Sequence, residues 1–92
     1  MPESDAGAEP RDIRLRRLRM RSARRGTKEM DLILGRYAED RLASMDAQAL
    51  ALYERLLEEN DNDLYAWVSG QSAPPAPYAA VIAELSSQPL RG

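Results

Sequence analysis

Apolar side chains recur every three or four residues through most of this 92-residue chain. In the second third of the chain they fall at Met30, Ile33, Leu34, Tyr37 and Ala38, a spacing that places one apolar stripe along a helix. No segment alternates apolar and polar residues as a half-buried strand does. The pattern therefore predicts an all-α fold, a compact bundle of five short helices around one modest core.

Residues that start and stop helices mark the first three segments. Pro10 suits the opening of a first helix that runs to Arg24. Thr27 can cap the second helix, and Asp46 can cap a third that ends at Asn60. These boundaries are set by short polar side chains that accept hydrogen bonds from the free N–H groups of a first helical turn.

Two further helices follow. The fourth is predicted to be capped by Asn60 or Asp61 and stopped by Gly70, and the fifth carries Pro77 in its first turn. The buried residues predicted for the fifth helix are Tyr78, Val81, Ile82 and Leu85. We expect residues 10–92 to form a single helical-bundle domain and residues 1–9 to form a mobile acidic tail.

Composition limits the chemistry that is open to the chain. Cysteine and histidine are both absent, which excludes disulfides, thiolate or imidazole metal ligands and the general base most used at neutral pH. An enzyme with this sequence would have to work with carboxylates, serines or the single lysine, Lys28.

Charge is divided unevenly along the sequence. Residues 11–29 contain nine basic and two acidic residues, a net charge of +7, whereas residues 30–92 contain four arginines and ten acids, a net charge of −6. The arginine-rich first helix can neutralise phosphates or dock on an acidic protein surface. The acidic remainder, and the lack of aromatic residues among the arginines, argue against nucleic acid and make a protein surface at least as good a candidate.

The sequence also predicts a location. No apolar run approaches the length of a bilayer span, and the acidic first ten residues differ from a secretory or mitochondrial leader. We therefore expect a bacterial cytoplasmic protein that does not bind membranes.

The acidic segment in the second half of the chain fits no catalytic or metal site. Its Asp-x-Asp start is that of a calcium loop, but Ala66 and Ser72 stand where the loop needs glycine and glutamate. Nothing nearby would separate the pKa values of its carboxylates, as acid and base catalysis requires. Tyr65 and Trp67 could form a binding surface, although Trp67 lies at helical spacing from Leu64 and is better placed for the core.

A glycine stands where the charge changes sign, in the stretch RRGTKEMD at residues 24–31. A turn with positive φ at Gly26 would end the first helix, and Glu29 would complement the dipole of the next. The corner also brings together an arginine, a residue without a side chain and a glutamate. Such a corner would let another protein's backbone approach closely between opposite charges.

These residues resemble the signature of the small succinate dehydrogenase flavinylation factors, Arg-Gly-x-x-Glu followed by an acidic or polar residue and an apolar run. Arg25, Gly26 and Glu29 match its fixed positions, and Asp31 follows them. A second family segment, Asp-Leu-aromatic-x-Trp after a leucine-rich helix, is matched at residues 63–67. The resemblance covers roughly residues 11–85 and departs from the family at position 35, a glycine where family members usually have a larger residue.

The resemblance implies an assembly factor rather than an enzyme. Such factors bind the flavoprotein subunit of succinate dehydrogenase, in bacteria often that of fumarate reductase too, and promote covalent attachment of FAD to a histidine of this client. The FAD then belongs to the client, and the factor needs no cofactor of its own. Carried over to this sequence, the partner-binding residues are Arg24, Arg25, Gly26, Glu29 and Asp31, with Gly26 permitting close approach and the charges of Arg25 and Glu29 pairing with client side chains.

A different class of function is the alternative. A nucleic-acid-binding or antitoxin-like regulatory protein would act through the arginine-rich first helix rather than through the corner. The two interpretations make different residues essential, which allows them to be separated by substitution.

Overall fold

The helices occur in the segments where apolar residues recur every three or four positions. The structure is a computed structural model, and it describes residues 9–88. Its five α-helices are α1 (Arg11–Ala23), α2 (Lys28–Arg41), α3 (Ala47–Leu56), α4 (Asp61–Val68) and α5 (Ala79–Ser87), with short 3-10 turns at Leu42–Ser44 and Ala76–Tyr78. No strand occurs between residues 9 and 88. The all-α fold class with five short helices is confirmed.

Three helices begin at the polar residues that the sequence indicated. The Thr27 hydroxyl accepts a hydrogen bond from the Met30 N–H at 3.3 Å. The Asp46 carboxylate accepts one from Ala49 at 2.8 Å, and the Asn60 side chain accepts one from the N–H three residues later at 2.8 Å. Each such cap typically stabilises its helix by about 1 kcal/mol, so the starts of α2, α3 and α4 are fixed by local sequence.

The core lies where the apolar stripes of the helices meet. It contains one side chain each from α1 and α4, two from α5, several from α2 and α3, and three from the connections between helices: Leu18, Met30, Ile33, Leu34, Tyr37, Ala38, Leu42, Leu50, Tyr53, Leu56, Leu57, Leu64, Tyr78, Ile82 and Leu85. Val81 packs against this core but is only half-buried, and Trp67 lies at its edge against Tyr78, with ring centroids 6.0 Å apart. The predicted core is thus confirmed, except that Val81 and Trp67 are less buried than expected.

Helices α1 and α2 pack closely side by side. Gly35 of α2 faces Ala23 of α1, and a Cβ atom on the glycine would lie 3.5 Å from the alanine Cβ. Nearby, the buried Ser22 hydroxyl donates to the Leu18 carbonyl at 2.7 Å and shares a 2.7 Å hydrogen bond with the Tyr53 hydroxyl. Burial raises the pKa of Tyr53 to about 12, so this hydroxyl stays protonated at neutral pH.

The structure corrects three local predictions. Helix α1 ends at Ala23 rather than Arg24, and α3 ends at Leu56 rather than Asn60. Gly26 does not have the positive φ that was expected of it: among the described residues only Gly70, at φ 85°, lies in the left-handed region. The corner therefore turns without a positive φ at Gly26.

Some predictions fall outside the described residues. The predicted tail at 1–9 lies there except for Glu9, and so do the last four residues of the chain. None of the described helices has both the length and the hydropathy that crossing a bilayer requires.

Candidate functional site

Most arginines of α1 bind the rest of the chain. The ion pairs have N–O distances of 2.9 to 3.2 Å and join Arg14 and Arg17 to Glu54, Arg17 also to Glu9, and Arg21 to Glu58. Arg11 donates to the carbonyls of Ala43 and Met45 at 3.0 and 2.6 Å. Much of the charge asymmetry of the sequence is thus neutralised within the molecule, because the basic helix lies on the acidic body.

The titration of these groups reflects their pairing. Burial raises the pKa of Glu54, but hydrogen bonds from Arg17 and Arg14 outweigh this and leave the pKa below its ordinary value. The pKa of Arg17 is raised, first by its hydrogen bond to Glu9 and then by the one to Glu54. These arginines serve the fold, which reduces the charge that α1 can offer to a nucleic acid.

Arg25 lies at the α1–α2 corner and points towards the body of the protein. Its guanidinium forms an ion pair with Asp61 at 2.8 Å and donates to the carbonyls of Leu57 and Glu59, both at 2.7 Å. Its side chain is only 12% exposed. Arg25 therefore satisfies carbonyl groups beyond the last turn of α3 and connects them to the start of α4.

Gly26 is held by the same carboxylate. Its N–H donates to the second oxygen of Asp61 at 2.7 Å, and a Cβ atom at this position would lie 3.1 Å from that oxygen. The missing side chain thus makes room for Asp61 of the same chain. The Asp31 carboxylate completes the corner by accepting a hydrogen bond from the backbone N–H of Arg25.

Three of the five predicted site residues face solvent. Arg24, Gly26 and Glu29 are exposed, while Asp31 is half-buried. Neither the Arg24 nor the Glu29 side chain forms a hydrogen bond or ion pair with another residue in the range 9–88. The corner therefore presents an exposed cation and an exposed carboxylate on a backbone that hydrogen bonds from Asp31 and Asp61 hold in place.

A groove of about 370 Å³ adjoins the corner on the side of Glu29. It lies between the first turn of α2 and the outer face of α4, and it is lined by Thr27, Glu29, Asp61, Asn62, Tyr65 and Gln71. The Tyr65 side chain is 41% exposed. An exposed tyrosine is typical of a surface that binds another protein, because aromatic residues are enriched at such surfaces.

The sequence could identify only part of this site. The sequence indicated Tyr65 as a possible binding residue because it is an aromatic residue in an acidic segment. Its exposure agrees with a role at the surface. Asp61 appeared only as a possible helix cap, although it fixes both Arg25 and Gly26. No pattern in the sequence links these positions, because Asp61 lies 35 residues after the glycine.

Comparison with known proteins identifies related sequences. A family model described as "Flavinator of succinate dehydrogenase" matches residues 16–89. The chain is 38% identical over 80 residues to succinate dehydrogenase assembly factor 2, mitochondrial, of Schizosaccharomyces pombe, covering 85% of this chain and 58% of the relative. It is 35% identical over 85 residues to the protein of that name from Drosophila grimshawi, covering 90% of this chain and 58% of the relative.

A third relative of the same name, from Cryptococcus neoformans, is 36% identical over 75 residues, covering 82% of this chain and 42% of the relative. The chain thus spans about half the length of these three proteins. The Arg-Gly-x-x-Glu segment lies inside the region that the family model matches.

These comparisons correct the predicted location. All three relatives are named as mitochondrial proteins, so the prediction of a bacterial cytoplasmic protein is wrong. It rested on the acidic composition of the first ten residues, which is a weak guide to compartment. The resemblance seen in the sequence is confirmed, because the family model covers most of the chain and the relatives are more than one-third identical: the chain belongs to the family of succinate dehydrogenase flavinators.

Proposed function

We propose that this protein is an assembly factor that binds the flavoprotein subunit of succinate dehydrogenase and promotes covalent attachment of FAD to it. The family description and the names of the relatives support the general role. The observation that carries the proposal for this chain is the α1–α2 corner, with its exposed Gly26 backbone and its exposed Glu29 and Arg24 side chains. The same binding mode would extend to the flavoprotein of fumarate reductase if that client presents the same surface.

Two groups of residues have different roles in this corner. Arg25 and Asp31 hold its shape, since both form hydrogen bonds within the chain. Glu29 and Arg24 face solvent and bind the client, while Gly26 lets the client backbone come close to the turn. This differs from the resemblance alone, which assigned Arg25 a direct pairing with client side chains.

The groove beside Glu29 extends the contact surface. A client side chain that enters it would meet the Glu29 carboxylate and the Tyr65 ring. A cationic side chain fits both groups, because it pairs with the carboxylate and is attracted to the face of an aromatic ring. Tyr65 therefore joins the corner residues as a proposed client contact.

The factor acts by orientation rather than by bond-making chemistry. The chain has no histidine or cysteine, and in this proposal the flavin and the histidine that receives it both belong to the client. A rigid corner that binds one client conformation more tightly than others shifts the client towards that conformation. Alignment of two reacting groups in this way can lower a barrier by several kcal/mol.

Flavin attachment in cells carrying single substitutions tests the proposal. We expect Glu29→Ala and Gly26→Arg to abolish flavin fluorescence of the client band in a denaturing gel, while circular dichroism still shows a helical bundle. Glu39→Ala is the matched control, because Glu39 is an exposed carboxylate farther along α2 that forms no ion pair between residues 9 and 88. Normal flavin attachment with either corner variant would contradict the proposal.

The nucleic-acid alternative has a separate test. Binding of RNA or DNA at physiological salt that is lost when Arg14, Arg16 and Arg17 become alanine would support it. We expect no such binding, since Arg14 and Arg17 already pair with Glu54. The combined alanine substitutions should instead lower the free energy of unfolding.

A further inference from the structure

Helix α1 has an apolar line on the side that faces away from the core. Its buried residues, Leu18 and Ser22, lie on the inner side. Ile13 and Met20 lie on the opposite side, and each is 46% exposed. They are seven residues apart, which places them two helical turns apart on one face.

A shallow groove of about 470 Å³ runs along this outer face, and it is lined by residues of α1 and by Arg24, which follows the helix. The lining residues are Ile13, Arg16, Arg17, Met20, Arg21 and Arg24. Two apolar side chains thus form the floor, and the four arginines form the rim. We call this surface the α1 outer face.

The rim keeps a net positive charge. Arg17 and Arg21 already pair with carboxylates of the chain. Arg16 and Arg24 are exposed and pair with no carboxylate among residues 9–88. An occupant of the face must therefore supply apolar side chains for the floor and negative charge for the rim.

The spacing of the floor residues suits a helix. Side chains seven residues apart on one helix lie about 10 Å apart along its axis, and an amphipathic partner helix presents apolar side chains at the same interval. Arginine guanidinium groups at the rim match carboxylates that flank such a stripe. The face also continues into the corner, because Arg24 belongs to both.

We infer that the α1 outer face is a second docking surface for the flavoprotein client, and that its occupant is an acidic amphipathic helix of that client. The inference rests on the proposed function, since it assumes the same partner. The interface would then run from Ile13 along α1 to the groove beside Glu29. The α1 outer face would provide affinity and the corner would select the client conformation.

Other occupants fit the face less well. A second copy would oppose arginines to arginines along its whole length. A bilayer requires a broader apolar face than two half-exposed side chains. A nucleic acid would gain nothing from the apolar floor and would be repelled by the acidic remainder of the chain.

Site-specific photo-cross-linking to the purified client flavoprotein tests the inference. A benzophenone amino acid is placed at Met20, at Thr27 in the corner, and at Ala83, an exposed control position on α5. We expect cross-links from the first two positions, and a Met20 product whose client peptide is rich in aspartate and glutamate. Cross-linking from Thr27 without Met20 would overturn the inference but leave the proposed function intact, and no cross-linking from either would contradict both.

A second test measures the affinity for the client of two variants that make the same change in charge. Arg16→Glu should weaken client binding about fivefold at low salt, and the difference should shrink as salt screens the charges. Arg55→Glu is the control, because it makes the same charge change at an exposed position on α3. The double change of Ile13 and Met20 to serine should weaken binding at least about tenfold at all salt concentrations.

Three results would overturn the inference. These are equal affinities for Arg16→Glu and Arg55→Glu, a concentration-dependent dimer that the serine changes disrupt, and an RNA complex at physiological salt that Arg16→Glu disrupts. Circular dichroism of each variant shows whether the bundle is intact, and these exposed positions should not alter it.

Discussion

Replacement of Asp61 by alanine tests whether the α1–α2 corner is held in place by the body of the protein. Its carboxylate accepts hydrogen bonds from the Arg25 guanidinium at 2.8 Å and from the Gly26 N–H at 2.7 Å. The Arg25 and Asp61 side chains are 12% and 17% exposed, so solvent screens the pair only in part. Hydrogen bonds to charged groups contribute about 1.5–3 kcal/mol each. Because some screening remains, we expect Asp61→Ala to lower the free energy of unfolding by about 2–3 kcal/mol in total.

Urea denaturation followed by Trp67 fluorescence measures this loss, since Trp67 packs against the core and Tyr78. With a slope of about 1–2 kcal/mol per M for a domain of this size, the midpoint should fall by about 1–3 M. Asp40→Ala removes an exposed carboxylate near the end of α2 and serves as the matched control. It should change the free energy of unfolding by less than about 0.5 kcal/mol.

A double-mutant cycle isolates the pair itself. Arg25→Ala, Asp61→Ala and the double variant should give a coupling energy of about 1–2 kcal/mol. A coupling energy near zero would refute the reasoning, because Arg25 would then be held by the carbonyls of Leu57 and Glu59 alone. A loss below about 0.5 kcal/mol for Asp61→Ala would refute it as well.

Two further predictions concern helix packing and acid stability. Gly35→Ala should raise the thermal midpoint, because alanine has a helix propensity about 0.5–1 kcal/mol more favourable than that of glycine. The added methyl group has room, since it would make an ordinary 3.5 Å contact with Ala23. A lower midpoint would show that the packing of α1 on α2 cannot accept the methyl group. Burial raises the pKa of Glu54, but hydrogen bonds from arginines outweigh this and hold the pKa below its ordinary value of 4.5. The unfolded chain therefore binds a proton at Glu54 more readily than the folded protein does. The folded protein loses stability as the pH falls through and below 4.5. Glu54→Gln should therefore lower the urea midpoint at pH 7 and reduce its decrease between pH 7 and 3, whereas equal acid sensitivity in the two proteins would contradict this.

The fold could be predicted because its determinants are local. Apolar side chains at helical spacing identified each helix, and the caps at Thr27, Asp46 and Asn60 act within three residues of their own position. The ends of α1 and α3 were predicted less well. They are shaped by Arg25, which binds carbonyls that lie more than 30 residues away in the chain.

The candidate site was located by sequence resemblance, but its internal geometry was not. Arg25 and Glu29 look equivalent in the sequence, as two charged residues beside a glycine. In the structure Arg25 points inward and pairs with Asp61, whereas Glu29 is exposed. The close contact at Gly26 likewise comes from the Asp61 carboxylate, which no local rule of turn formation would reveal.

The order of the helices bears on how quickly the chain reaches its native state. Two pairs of consecutive helices lie side by side, α1 against α2 and α4 against α5. Short connections require little loss of chain entropy before contacts form, and helical proteins built in this way fold within about microseconds to milliseconds. An assembly factor that folds this quickly would reach its native state while a larger client still passes through partly folded intermediates.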